Sequence, residues 1–247
     1  MIHTGYLVFE LRRTMRSTRF LVFTVAFPIV LFVFFSQLFG NDTPDNAAGI
    51  DYHSVIMINM TAWGAMSAAL YSGARVAVER GSGWQRQLRL TPLSGVGYLT
   101  GKGLSGLGVA LPVVILVPLV AITTQGVRLS GAQWVQATVG IWLAAIPFAL
   151  LGLLLGQLGT SDSMQSITSM LMMVLAILGG LWVPIEVLPD WMHQLARVLP
   201  SYWMSQVGRS AVDHHEALSS CALVLAVWTV VLGGLVALRY RRDSARG

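Results

Sequence analysis

The 247-residue chain has one cysteine, one lysine and few charges of either sign. A lone Cys221 excludes an internal disulfide, and nothing near it has metal-ligand spacing. The simplest role for it is a small buried apolar side chain. Charged residues make up 11% of the sequence, whereas a soluble domain carries about a quarter. With 55% hydrophobic residues, the chain reads as a polytopic membrane protein rather than a soluble one. The net charge of +5 would suit nucleic acid if it covered a soluble face. Instead the basic residues gather at the ends of apolar runs, which is a topology signal, and no nucleic acid is expected.

The apolar runs also lack Asp, Glu, Lys, Arg and His. That argues against a proton-coupled carrier, which normally needs a carboxylate or histidine relay inside the membrane. It also argues against an intramembrane Ser–His protease, because Ser72-Gly73 has no later intramembrane histidine to act as base. Asp213-His214-His215-Glu216 is the densest ligand-like cluster, but adjacent side chains diverge on a helix and do not converge on a metal. No metal site and no catalytic residue is expected. Gly101-Lys102-Gly103 fails as a phosphate loop, since Val96 stands where a glycine is required and Gly103 where Ser or Thr is required. If ATP drives this protein, the ATPase is another chain.

What is present is an ordered series of apolar runs, with all of 1–247 read as one transmembrane domain. Residues 1–19 mix Tyr6, Phe9 and Leu11 with Glu10 and four arginines, which suits an amphipathic helix lying on the inner membrane face. Spans are expected at about 20–39, 54–74, 103–124, 135–159, 166–183 and 220–238. The first is too long for a signal-peptide core, and Ser36-Gln37-Leu38-Phe39-Gly40 is no cleavage site, so it stays as a span. With the N-terminus inside, thirteen of the 16 basic residues fall on the inner side, and only Arg128, Arg197 and Arg209 fall outside. That bias expects an all-α fold of six transmembrane helices with both termini cytoplasmic.

The stretch 75–102 interrupts the series with Arg75, Glu79, Arg80, Arg86, Arg89 and Lys102. Each charge at the bilayer centre costs roughly 2.5–3.5 kcal/mol, so the stretch is expected outside the membrane. Within it, Ser82–Leu90 could make two helical turns with Trp84 and Leu88 on one face. Pro92 ends that helix and Ser94 can cap the next one. Small residues at spacing four, Gly64, Ala68 and Ser72, then Gly152 and Gly156, allow close helix approach, within one subunit or between two. Beyond span five, Trp191, Leu195 and Val198 follow helical spacing, with Trp182, Tyr202 and Trp203 nearby. Such aromatic groups belong at the membrane–water boundary. Trp182, Pro184, Trp191 and Trp203 are therefore candidates for a re-entrant or interfacial outer gate.

Two motifs carry a family resemblance. One is Val78-Glu79-Arg80-Gly81, then Leu88-Arg89-Leu90-Thr91-Pro92-Leu93-Ser94 and Gly101-Lys102. The other is Gly179-Gly180-Leu181-Trp182-Val183-Pro184, then Leu188-Pro189-Asp190-Trp191 and Leu199-Pro200. In this order the chain resembles the type-2 permeases of ATP-binding-cassette exporters, especially the bacterial drug-resistance, daunorubicin-exporter-like branch. It departs at Gly81-Ser82-Gly83, where the family often has a Glu or a second Arg-Glu step. The resemblance implies a dimer of permeases, identical or related, with two copies of a separate nucleotide-binding ATPase. That ATPase would hold the ATP and Mg, leaving this chain without a cofactor. It also implies a bacterial plasma-membrane location, residues 1–19 as a connecting helix, and a re-entrant outer element between spans five and six. Glu79, Arg80, Trp84, Arg86, Leu88 and Arg89 would form the cytoplasmic coupling helix between spans two and three.

The resemblance further places a substrate pathway along spans two and five. Seven of the 11 methionines lie in or beside those spans, and flexible Met suits a surface for varied apolar ligands. The candidate pathway residues are Asn59, Met60, Trp63, Met66, Thr168, Ser169, Met170 and Met173. The implied function is export of hydrophobic or amphipathic, drug-like compounds across the bilayer. The alternatives are export of a lipid or polysaccharide by the same machinery, or a membrane-embedded enzyme.

Overall fold

Helix starts in this chain are written in its small polar residues. In the computed structural model, which describes residues 4–39, 51–84, 87, 94–183, 188–212 and 217–244, every regular element among the described residues is a helix. Helix α1 covers Thr4–Met15 and α2 covers Thr18–Phe39, with a one-turn break between them. Helix α3 runs Tyr52–Gly81 and is capped by Asp51, whose side chain accepts from the His53 amide at 3.1 Å and from the Ser54 hydroxyl at 2.7 Å. Such a cap satisfies donors that the first turn leaves without partners. Helix α4 runs Gly95–Gln125 behind Ser94, which accepts from the Gly97 amide at 3.1 Å, as the sequence expects.

Helix α5 covers Gly131–Leu158 and is irregular. It begins with a capping box between Ser130 and Gln133, passes through a π-helical turn at Gln136–Gly140, and shifts register at Ala145 before Pro147. The π-turn turns Gln136 toward the later helices. Helix α6 is Ser161–Leu178, α7 is Asp190–Val198, α8 is Pro200–Arg209 and α9 is Leu218–Ser244. Gln136 Nε2 donates to the Val207 carbonyl at 3.1 Å and to Ser210 Oγ at 2.7 Å, which fixes α8 against α5. Trp228 Nε1 of α9 donates to the Val198 carbonyl at 3.0 Å, tying α9 to the end of α7.

Among the described residues, five helical stretches are long and apolar enough to cross a membrane: Phe20–Phe39, Gly95–Gln125, Gly131–Leu158, Ser161–Leu178 and Leu218–Arg242. Helix α3 is absent from that set, yet it is the most enclosed element, with Ala62, Ala65, Ala68, Ala69 and Leu70 fully buried. The two facts have one cause. A helix walled in by other helices gains from small side chains that let backbones close up, and it need not be greasy on every face. Gly73 of α3 faces the backbone of Gly152 and Leu153 in α5, and a Cβ on Gly156 would lie 2.8 Å from the Gly73 carbonyl oxygen. Gly64 packs against Val113 of α4 and Pro28 of α2. The small-residue spacing is therefore used inside one chain.

The α3–α5 contact gives a direct test. A methyl at Gly152 would run into the Leu70 carbonyl. Gly152→Ala is expected to destabilise the fold by about 1–3 kcal/mol. Gly131→Ala, which meets open space, should leave stability unchanged or slightly raised. Thermal unfolding of the solubilised protein reads both.

Candidate functional site

At the end of the bundle where α3 stops and α4 starts, four charges meet. Lys102 Nζ lies 2.5 Å from Glu10 Oε1 of α1 and 2.5 Å from Glu79 Oε1 of α3. Arg13 Nη1 lies 2.9 Å from the same Glu79 oxygen, and the Tyr98 hydroxyl donates to Glu79 Oε2 at 3.0 Å. Lys102, Glu10 and Glu79 are all buried. Burying any of these ions alone would cost several kcal/mol, about what its pairing must offset. Two carboxylates against two cations leave the cluster neutral. Tyr6 of α1 packs beside it, its ring centroid 6.1 Å from that of Tyr98. Burial first, then the charges of Glu10 and Glu79, raise the Tyr6 phenol above its ordinary value, so it stays protonated.

Arg13 is the half-exposed member, and its guanidinium sits 5.3 Å from the Trp84 ring centroid. The chain between α3 and Trp84 turns sharply. Ser82 closes the helix through its amide to the Val78 carbonyl at 3.0 Å, and Gly83 adopts a left-handed φ of 75°. Gly81-Ser82-Gly83 is thus the end of α3, with Gly supplying the backbone sign that other residues resist. Arg80 donates to the Gln157 carbonyl, joining α3 to the end of α5. Of the six candidate coupling residues, Glu79 faces inward, Arg80 faces α5 and Trp84 faces Arg13. Arg86, Leu88 and Arg89 lie outside the described residues, as does most of the expected Ser82–Leu90 helix.

Halfway along the bundle, α2, α3 and α6 leave a cavity of about 620 Å³. Phe20, Phe23 and Phe27 of α2 form one wall, and Trp63, Ser67 and Tyr71 of α3 form the second. Gln165, Ser169, Met172 and Met173 of α6 form the third, and Trp182 closes one end. Among the described residues no charged side chain lines it. Phe27, Trp63 and Trp182 make a chain of ring contacts with centroids 5.2 and 5.5 Å apart. The indole N–H groups of Trp63 and Trp182 are buried without a partner among the described residues. The Tyr71 and Ser169 hydroxyls hydrogen-bond each other at 3.2 Å.

The candidate pathway residues separate on this geometry. Trp63, Ser169 and Met173 line the cavity. Met60 and Met66 are packed in the core, and Thr168 is buried. Asn59 donates to the Gly180 carbonyl at 3.3 Å, holding the turn after α6. Met170 is 72% exposed on the outer face of α6. Among the gate candidates, Trp182 lines the cavity, Trp191 is exposed, and Trp203 Nε1 donates to the Arg197 carbonyl at 2.6 Å. Pro184 lies outside the described residues.

Sequence reasoning missed the α2 wall and the charge cluster. The α2 signal was available: Phe20, Phe23 and Phe27 recur at helical spacing on the first span. The cluster also had a trace in sequence, since Lys102 is the one lysine and Glu10 is the one acid among the arginines of the first 19 residues.

A bundle of long apolar helices with an uncharged aromatic cavity, and with a buried ion cluster at one end, is a polytopic membrane protein. The family model described as ABC-2 type transporter matches residues 6–212, and the chain belongs to that family. It is similar to the protein called "Putative transport permease YvfS" of Bacillus subtilis (strain 168), at 29% identity over 194 residues, 78% of each chain. The chain is a multi-pass protein of the plasma membrane and a transporter subunit rather than an enzyme. Membership implies partnership with an ATP-binding-cassette ATPase subunit.

The charge cluster generates the second test. Lys102→Met leaves Glu10 and Glu79 facing each other with one cation between them, and should destabilise the fold by about 3–5 kcal/mol. Glu10→Gln combined with Lys102→Met restores neutrality through Arg13 and Glu79. The double variant should recover more than half of that loss in thermal unfolding, so the two substitutions will be far from additive.

Proposed function

We propose that the chain is the membrane subunit of an exporter that moves hydrophobic or amphipathic, drug-like compounds out of the cell. A separate subunit, present in two copies, hydrolyses the ATP and holds the nucleotide and Mg. A second permease copy completes the transporter. The observation that carries the reading is the cavity between α2, α3 and α6. It is large enough for a small organic molecule and presents six aromatic rings with a few uncharged polar groups. Such a lining accepts apolar bodies of varied shape and fixes few orientations.

Helix α3 serves as the sixth span in this reading. Its 30 residues reach about 45 Å at 1.5 Å per residue, more than the roughly 30 Å of bilayer hydrocarbon. With both termini cytoplasmic, the charge cluster and Trp84 sit on the ATPase side. The segment from Trp84 to Ser94, with Arg86, Leu88 and Arg89, meets the ATPase. Glu79 acts inside the chain, as a positioning residue. A push on the loop reaches α3 through Arg13 and Glu79, and reaches α4 and α1 through Lys102 and Glu10. Because α3 forms one wall of the cavity, its displacement opens or closes the path. Trp182 and the α7–α8 elements form the outer gate.

The test is co-purification of the tagged chain with an ATP-binding-cassette ATPase, followed by substrate-stimulated ATP hydrolysis in lipid nanodiscs. Stable association and stimulation are expected; failure of every such ATPase of the source cell to associate refutes the reading. Within an active complex, Met173→Ala should change the order of preferred substrates, because Met173 lines the cavity. Met60→Ala should lower stability by about 2–5 kcal/mol while leaving that order intact, because Met60 is core. Equal effects on substrate order would contradict the placement.

A further inference from the structure

The cavity lining on α3 is a stripe with a fixed step. Trp63, Ser67 and Tyr71 all line it and stand four residues apart. That spacing keeps side chains on neighbouring positions of one helix face. The next position on the stripe is Arg75, one turn nearer the charge cluster. Its guanidinium lies 5.7 Å from the ring centroid of Phe20, itself a cavity residue. Arg75 therefore stands at the mouth of the cavity, half-buried, with its charge directed at the aromatic wall.

Its neighbours treat it differently from the other cations there. Arg13 and Lys102 are neutralised by Glu10 and Glu79. Arg80 reaches the Gln157 carbonyl. Among the described residues no carboxylate lies within ion-pair distance of Arg75, and no acid lines the cavity. A half-buried guanidinium keeps five donors, and a ring face satisfies none of them as a hydrogen-bond acceptor would. An anionic oxygen is the partner that matches it best, through charge-assisted and bidentate contact.

We propose that the cavity takes an amphiphile with an aromatic or apolar body and an anionic head, the head seated against Arg75. This rests on the cavity being the transport site. The body lies among Phe20, Phe23, Phe27 and Trp63. The head stays at the mouth, where water and Arg75 share it, so no full charge enters the apolar interior. Arg75 thereby sets specificity by preferring anionic over uncharged forms of one body. A sulfonate, phosphate or carboxylate head fits, whether carried by a soluble amphiphile or by a membrane lipid.

The test uses the full chain in phosphatidylcholine nanodiscs and two fluorescent probes with one ring system. They are 8-anilinonaphthalene-1-sulfonate, which is anionic, and N-phenyl-1-naphthylamine, which lacks the sulfonate. Arg75→Gln should weaken binding of the anionic probe about tenfold and change the uncharged probe less than about twofold. Arg75→Lys should retain most of the preference. Trp63→Ala should weaken both probes. Arg241→Gln removes a cation from the end of α9 and should affect neither.

If Trp63→Ala weakens both probes and Arg75→Gln weakens neither, the head-group proposal is overturned while the cavity reading stands. If Arg241→Gln lowers the anionic probe as much as Arg75→Gln, the preference is surface potential and the proposal is overturned. If neither Trp63→Ala nor Arg75→Gln alters either probe, the cavity reading fails and takes the proposal with it. Replacing part of the lipid with phosphatidylglycerol separates the two sources of the anion. Displacement of the anionic probe from the wild-type chain assigns the Arg75 site to a lipid head group, and retention assigns it to a soluble amphiphile.

Discussion

Lys102 between Glu10 and Glu79 is the constraint from which the arrangement of this protein follows. Buried opposite charges can separate only if water or another partner replaces them, so the pairing resists separation of the elements that carry it. The three residues come from α1, α3 and α4, so one cluster, neutral once Arg13 is counted, fixes the three helices together. Arg13 extends the cluster to Trp84. Charge thus does at this end what close backbone packing does along the rest of α3.

Helix α3 shows how polarity and burial trade places in a membrane bundle. In water, a helix full of Ala, Gly, Ser and Thr would be a weak core element. Within a ring of apolar helices its small side chains let backbones approach, and Gly73, Gly152 and Gly156 mark where they do so. The lipid-facing side is left to α2 and α9, whose Val30, Phe34, Leu223 and Val230 are well exposed. The same α3 presents Trp63 and Tyr71 to the cavity. One helix therefore joins the ion cluster, the tightest packing and the cavity wall.

Much of this was legible in the residues. Ser94 was readable as a cap because its hydroxyl precedes an apolar run, and the structure has it accepting from Gly97. The apolar runs lie on α2, α4, α5, α6 and α9, with α6 both starting and ending five residues before the run at 166–183. The extension of α3 to Gly81 was not legible. Apolarity sets where a helix meets lipid, whereas hydrogen bonding continues for as long as charged side chains find partners. Glu79 and Lys102 look like reasons to stop until Glu10 is brought against them. That pairing spans 92 positions in sequence, beyond the reach of any local pattern. The methionines misled for a related reason: Met60, Met66 and Met173 are alike in sequence, and only tertiary packing sends the first two to the core and the third to the cavity.

The central claim is that ATP hydrolysed on a partner chain changes access to the α2–α3–α6 cavity. A single thiol placed there by Ser169→Cys, with Cys221→Ser removing the native one, measures that access through its rate of labelling by a membrane-impermeant maleimide added from the outer side. In the assembled complex, the account predicts slow labelling without nucleotide and faster labelling once ATP and vanadate trap the closed ATPase. Equal rates in the two states, in a complex that hydrolyses ATP, would contradict it.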